Sequence, residues 1–154
     1  MSTISGSRTL HRLIYASRQE IAEADLEEAV GQIIQASIRN NREVAVTGLL
    51  LVHEGFFLQA LEGPAEAVLT TYGRICNDPR HHEAKVLHAG PAEARAFGDW
   101  NMCARRVTPA DDAILNTLSM RTAFEPHRLT GPAALRLLKA VRGIQARTQL
   151  QALR

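Results

Sequence analysis

Residues 44–63 read VAVTGLLLVHEGFFLQALEG, two apolar runs around a polar break. The runs at 48–52 and 56–61 flank His53-Glu54-Gly55, a spacing that predicts a β-hairpin with a short, glycine-bearing loop. In the second run, period-two alternation puts Phe57, Gln59 and Leu61 on one face and Phe56, Leu58 and Ala60 on the other. Gln59 therefore points where its neighbours are apolar. A buried primary amide must find partners for its carbonyl and its two N–H donors, or it costs about 1–3 kcal/mol. Gln59 either bonds a neighbouring backbone group or contacts a buried polar ligand, and this strand alone leaves both readings open.

The same patterning organises the rest of the chain. Residues 9–17 predict a first strand with Leu13, Tyr15 and Ser17 on one face. Residues 24–41 predict a helix, because Leu26, Ala29, Val30, Ile33, Ile34 and Ser37 recur at three-and-four spacing, and Asn40-Asn41 mark its end. The hairpin spans 45–63. Pro64 opens a second helix, running to about residue 77, with Ala67, Val68, Tyr72 and Ile75 on its apolar side; Asp78-Pro79 stops it. Residues 85–90 and 97–105 predict two more strands. The order β-α-β-β-α-β-β is that of a ferredoxin-like α+β sandwich with one added strand, two helices covering one sheet face.

Beyond Pro109 the character changes. Residues 111–120 predict a short helix, and Thr130-Gly131-Pro132 opens a longer one to about residue 153, with Leu135, Leu138, Val141, Ile144 and Leu153 at helical spacing. Arg136, Lys139, Arg142, Arg147 and Arg154 face no acidic residue in that stretch. Two readings stand: a cap on the open sheet face with a solvated basic side, or a docking surface for a partner or an anionic polymer. The chain thus divides into an N-terminal extension (1–9), a sandwich (10–106) and a C-terminal helical extension (107–154).

Bulk properties narrow the function. The 154 residues suffice for one domain with a real core, and 45% hydrophobic and 22% charged content is ordinary for a soluble protein. A net charge of +2 does not by itself imply nucleic acid. The apolar runs are far shorter than the ~20 residues of a membrane span, and the N-terminus lacks a signal-peptide core. Cys76 and Cys103, without motif spacing, suit a reducing cytoplasm.

Familiar site chemistries fit poorly. Cys76, His81, His82 and His88 lack the spacing of a zinc module. There is no G-x-S-x-G elbow and no glycine-rich phosphate cradle, and nothing in the sequence brings Glu62 and Asp78 together as an acid/base pair. At 5% aromatic content, the basic-aromatic strand pattern of RNA-binding sandwiches is missing, so nucleic acid is not the expected partner. A different grouping is more promising. In this topology the first and third strands are adjacent and central, so Tyr15 and Gln59 can meet beneath the helices, with Asn40 and Asn41 at the rim. Ile33, Ile34 and Leu50 could wall a planar heteroaromatic ligand, and the amides of Asn41 and Gln59 could bond its edge. Taken singly, Tyr15 also fits a core tyrosine with a satisfied hydroxyl, and Trp100 a core or edge anchor.

Six ordered segments resemble the BLUF family, blue-light sensors that use FAD: LIYAS with Tyr15 and Ser17, RNN at 39–41, TGLLL at 47–51, FLQALEG at 57–63, RICNDPRHH at 74–82 and FGDWNM at 97–102. They cover about residues 10–104. The resemblance implies a flavin cofactor (FAD, with FMN or riboflavin as alternatives). Tyr15 would be the photochemical electron and proton donor, and Gln59 the bridge between Tyr15 and the N5/O4 edge. Asn41, with Asn40 beside it, would hold the ring's polar edge. Ser17, Arg74, Asp78, Arg80, His81, Ile33 and Leu50 would complete the flavin-binding set. Trp100 and Met102 would relay the signal from the last strand into the C-terminal helices, so truncation after about Arg106 should leave the photocycle intact. One departure is Ala45-Val46, where the family usually has glycine followed by isoleucine. The resemblance further implies a cytoplasmic photoreceptor without turnover of its own, acting on a separate effector or through a homo-oligomer. The alternatives are a non-signalling flavin- or protein-binding module of the same fold and, more distantly, a small ferredoxin-like enzyme.

Overall fold

Burial of the first strand on both faces, unbroken from Leu13 to Ser17, fixes how the molecule is layered. The computed structural model describes residues 10–43, 45–98, 103–106 and 125–152. Strand β1 (Leu10–Gln19) leads through a 3-10 turn (Glu23–Asp25) to helix α1 (Leu26–Glu43). Then come β2 (Thr47–His53), β3 (Phe56–Pro64), α2 (Ala65–Cys76), β4 (His81–Pro91) and β5 (Cys103–Arg106). A 3-10 turn (Pro126–Arg128) precedes the final helix α3 (Gly131–Ala152).

The sheet order is β4-β1-β3-β2-β5. The first four strands are antiparallel neighbours, and β5 joins the β2 edge in parallel, Leu50 opposite Ala104. This is the expected α+β sandwich. The hairpin closes through Glu54 and Gly55 at φ 48° and 86°, both left-handed, the conformation a two-residue turn of matching twist requires.

Period two sends alternate residues to two cores. On one face Leu13, Tyr15 and Leu61 pack with Val68 of α2, while Leu50, Val52 and Phe57 pack with Leu26 and Val30 of α1. On the other face Ile14, Ala16, Leu49, Leu51, Leu58 and Ala60 meet Ala134, Leu137, Leu138 and Val141 of α3. The C-terminal helix is therefore the cap on the open face, with Arg136 and Lys139 turned outward and exposed. Cutting the chain after Arg106 would strip that cover from a continuous apolar surface. Such a cut therefore bears on the stability of the fold.

Boundaries differ where side chains capture the backbone. β4 starts at His81, four residues earlier than alternation suggested, because Gln19 and Arg18 of the long β1 pair with His81 and His82. Of the last strand expected over 97–105, the described stretch Cys103–Arg106 is strand and residues 97–98 are not. The Ala96 and Phe97 N–H groups bond the Glu62 carboxylate, which takes them out of a strand ladder. Helix α1 continues two residues past Asn41. Residues 1–9, the short helix expected at 111–120, Trp100 and Met102 lie outside the described residues.

Ala45 has φ 58°, the left-handed region that favours glycine. This accounts for the glycine expected there by resemblance. A non-glycine residue in that region costs about 1–2 kcal/mol, partly offset by the freedom glycine adds to the unfolded chain. Ala45→Gly is expected to stabilise the protein by up to about 1 kcal/mol, read as a higher midpoint in denaturant unfolding; a lower midpoint would show that Ala45 is unstrained.

Candidate functional site

Tyr15 and Gln59 are direct cross-strand partners on β1 and β3. Both side chains point to the α1/α2 side, and both are only 2% exposed. The Tyr15 hydroxyl donates a hydrogen bond to Gln59 Oε1. Both readings of Gln59 drawn from its strand are thereby sharpened: one end of the amide is held by a phenol, not by backbone.

Around this pair lies a cleft of about 340 Å³, part of it open to solvent, lined by Tyr15, Ile33, Leu50, Phe57, Gln59, Ile75, Asp78, Arg80 and His81. Each element contributes for a local reason. Ile33 is on the inward stripe of α1, and Leu50 is the inward residue of β2 opposite Gln59. Ile75 is on the inward side of the last turn of α2. Asp78 and Arg80 lie on the short connection from α2 to β4, and His81 is the first residue of that strand.

His81 is oriented by two hydrogen bonds. Its Nε2 is 2.6 Å from the Ile75 carbonyl oxygen, and its Nδ1 is 2.8 Å from Ser17 Oγ. A carbonyl only accepts, so Nε2 carries a proton and Nδ1 is the nitrogen that meets the hydroxyl. Ser17, completely buried, thus acts behind the cleft wall by setting the ring of His81. Tyr15 also packs against Tyr72 at 5.2 Å between ring centroids and against His81 at 6.1 Å; Phe57 lies 5.9 Å from His81. Such tilted contacts add specificity beyond area burial.

Asp78 and Arg80 form a rigid rim. The Arg80 backbone N–H and Nε both reach Asp78 Oδ1 at 2.9 Å, and a guanidinium nitrogen reaches Oδ2 at 2.6 Å. These hydrogen bonds hold the Asp78 carboxyl below its ordinary range and push Arg80 upward. Burial, aided by Tyr72, Cys76 and Asp78, pushes the Tyr15 phenol well above its ordinary value. The phenol is therefore neutral and keeps its proton to donate.

The structure brings together Tyr15, Gln59, Ile33, Leu50, Asp78, Arg80 and His81, with Ser17 behind them. Arg74 is set apart. It is exposed, because Ile75 takes the inward position and the adjacent residue is rotated about 100° away on a helix. Asn40 and Asn41 fall near the end of α1, and their side chains, with that of Ile34, lie outside the described set. Glu62 and Asp78 are not a pair: Glu62 bonds Arg12 and the 96–97 backbone on the opposite sheet face, away from the cleft. Sequence reasoning missed Phe57, Ile75 and Tyr72 as site residues. Phe57 shares the face of Gln59, a signal already present in the alternation, and Ile75 and Tyr72 stood on the apolar side of α2.

The cleft suits a planar ring with apolar faces and a polar edge. Ile33, Leu50, Phe57 and Ile75 offer the walls, and Gln59 and the Asp78–Arg80 rim offer directed polar groups.

Residues 10–103 match the family described as sensors of blue-light using FAD. The chain is 38% identical over 93 residues to the blue light- and temperature-regulated antirepressor BluF of Escherichia coli, covering 60% of this chain and 23% of that one. It is 34% identical over 93 residues to the photoactivated adenylate cyclase subunit beta of Euglena longa, covering 60% of this chain and 11% of that one. The chain thus spans under a quarter of the length of these relatives. Among solved structures, the dark state of BlrB, a BLUF protein, superposes with a TM-score of 0.70 at 30% identity, over 88% of this chain and 98% of that one.

The rim pair generates a prediction. The folded Asp78 carboxyl sits below the ordinary 3.8, so it stabilises the fold above that pH, and the contribution is lost as pH falls through the lower folded value. Carboxyl NMR titration is expected to put the Asp78 midpoint below 3.8 and to return it toward 3.8 in Arg80→Ala. An unchanged midpoint in the variant would remove Arg80 as the cause.

Proposed function

The chain belongs to the BLUF family of flavin-using blue-light sensors, and from that premise we propose that its Tyr15–Gln59 pair is a two-state hydrogen-bond switch read out through the C-terminal helix. The observation that carries this reading is the donor–acceptor bond between two buried, register-paired side chains at the wall of the cleft.

A bound flavin supplies absorption of blue light and excited-state redox chemistry. The protein supplies orientation and a choice of hydrogen bonds. Ile33, Leu50, Phe57 and Ile75 would hold the ring faces; Gln59, the Asp78–Arg80 rim and the Asn40-Asn41 amides would hold its edge. Tyr15 is the donor of an electron and a proton, kept neutral by burial until light acts. With its Oε1 on the phenol, Gln59 turns its donor end away from Tyr15. Exchanging the two ends of the amide, by rotation or tautomerisation, changes what Gln59 presents to the cleft while moving few atoms. A phenol can also accept, so the exchanged arrangement is satisfiable. Two hydrogen-bond patterns at one place are what a bistable sensor needs.

Output then requires a second element that responds. Trp100 and Met102 precede β5, which lies beside Leu49 to Val52 of β2, and they are the proposed relay toward α3. The flavin-binding unit is 10–106 and the helical extension 107–154 is the readout. The protein acts without turnover of its own, on a separate effector or through a homo-oligomer. FAD is the proposed cofactor, with FMN or riboflavin as alternatives gripped by the same ring contacts. No helix among the described residues is long and apolar enough to cross a membrane, and we place the protein in the cytoplasm on its unpatterned cysteines.

Tyr15→Phe keeps the ring and removes the hydroxyl donor. It is expected to retain bound flavin while abolishing the reversible, light-driven shift of the visible bands to longer wavelength. A variant that still shifts with wild-type amplitude would take Tyr15 out of the switch.

A further inference from the structure

Glu62 is a carboxylate with no exposed surface, and the switch does not use it. It follows Gln59 by three residues on β3, about 10 Å along the strand and on the opposite face. Its oxygens accept three hydrogen bonds: from Arg12 Nε at 2.7 Å, from the Ala96 N–H at 2.9 Å and from the Phe97 N–H at 2.8 Å. A buried charge is tolerated only when paired and fully bonded, and charge-assisted bonds to backbone N–H groups are among the strong ones. Two of the three donors, the backbone N–H groups, belong to neither a helix nor the sheet. They come from two consecutive residues of the segment that leads to Trp100, Met102 and β5.

That segment is held from two further sides. The Arg95 guanidinium donates to Thr47 Oγ1 at 2.7 Å, to the Glu62 carbonyl at 2.9 Å and to the Ala45 carbonyl at 2.8 Å. From α3, Arg142 donates to the carbonyl oxygen of Ala96. Phe97 is completely buried among the residues that α3 covers. Ala96 is thus bonded through its N–H to the strand of Gln59 and through its C=O to the C-terminal helix.

We propose that Glu62 is a positioning residue that ties the 95–97 segment to the switch strand, so that this clamp, with Arg142, is the mechanical link between the cleft and α3. It rests on the reading of Tyr15 and Gln59 given above, and it adds a specific path on the α3 face, separate from the flavin contacts. Because none of Glu62, Arg142 or Ala96 lines the cleft, photochemistry and coupling are separable.

Glu62→Gln keeps the volume but offers one acceptor oxygen and a donor amide where two backbone N–H groups converge, so one of them loses its partner. Arg142→Met removes the bond to Ala96 while keeping an unbranched apolar stem. For the full-length, flavin-loaded wild type and both variants, the light-minus-dark difference in amide hydrogen exchange over residues 131–152 is compared with the amplitude of the light-driven band shift. The expected result is a wild-type band shift in all three proteins, an exchange difference in wild type, and loss of at least half of that difference in each variant. A variant that keeps both signals makes the clamp merely structural and overturns the inference. So does a wild type that shifts its bands with no exchange difference in α3. Loss of the band shift in wild type is a failure of the switch itself and overturns both. If Glu62→Gln fails to fold, Arg142→Met alone decides.

Discussion

The hydrogen bond from the Tyr15 phenol to Gln59 exists because β1 and β3 pair in a single register. A slip of one residue in either strand would turn that strand's member of the pair to the α3 face, out of reach of the other. That register is itself set by two-sided burial: Leu13 and Leu61 must face α2 while Ile14, Leu58 and Ala60 face α3. The polar pair is the exception that this apolar alternation carries. Burial then gives it its chemistry, by keeping the phenol protonated and by making each remaining polar atom costly to leave unmatched.

The supporting shell follows the same logic. Ser17 and the Ile75 carbonyl fix the ring of His81, which packs on both Tyr15 and Phe57. Asp78 and Arg80 neutralise each other at the rim, so the mouth of the cleft carries a rigid dipole, not a free charge. On the far face, Glu62 accepts the backbone N–H groups of an irregular segment at 96–97. One strand therefore serves both faces, Gln59 toward the cleft and Glu62 toward the cap. It is the natural place for a local change of hydrogen bonds to be felt by a helix on the other side of the sheet.

Much of this was legible in the sequence, because period two and period 3.6 are direct consequences of burial. The hairpin, both cleft helices, the adjacency of β1 and β3 and the meeting of Tyr15 with Gln59 all followed from alternation plus topology. What alternation could not show was backbone captured by side chains. Glu62 holds the N–H groups of Ala96 and Phe97, so Phe97, expected as the first residue of the last strand, is not in a ladder. Nor could it show that His81 begins β4 with its ring buried, since the polar run Arg80 to Glu83 reads as a loop until its pairing with β1 is known. The placement of Arg74 outside the cleft and Ile75 inside it turns on one helical step, finer than a motif resolves. That the C-terminal helix caps the open sheet face became visible only in its contacts, which a basic, weakly amphipathic stretch leaves open in sequence.

The central claim is that light changes the hydrogen bonds between Tyr15, Gln59 and a flavin held in the cleft. The most direct test is the visible absorption spectrum of the purified wild-type protein, recorded in darkness, after blue light and again after dark recovery. The account predicts flavin bands that move slightly to longer wavelength on illumination and return fully in darkness. A protein that binds flavin but shows identical spectra before and after illumination would contradict it.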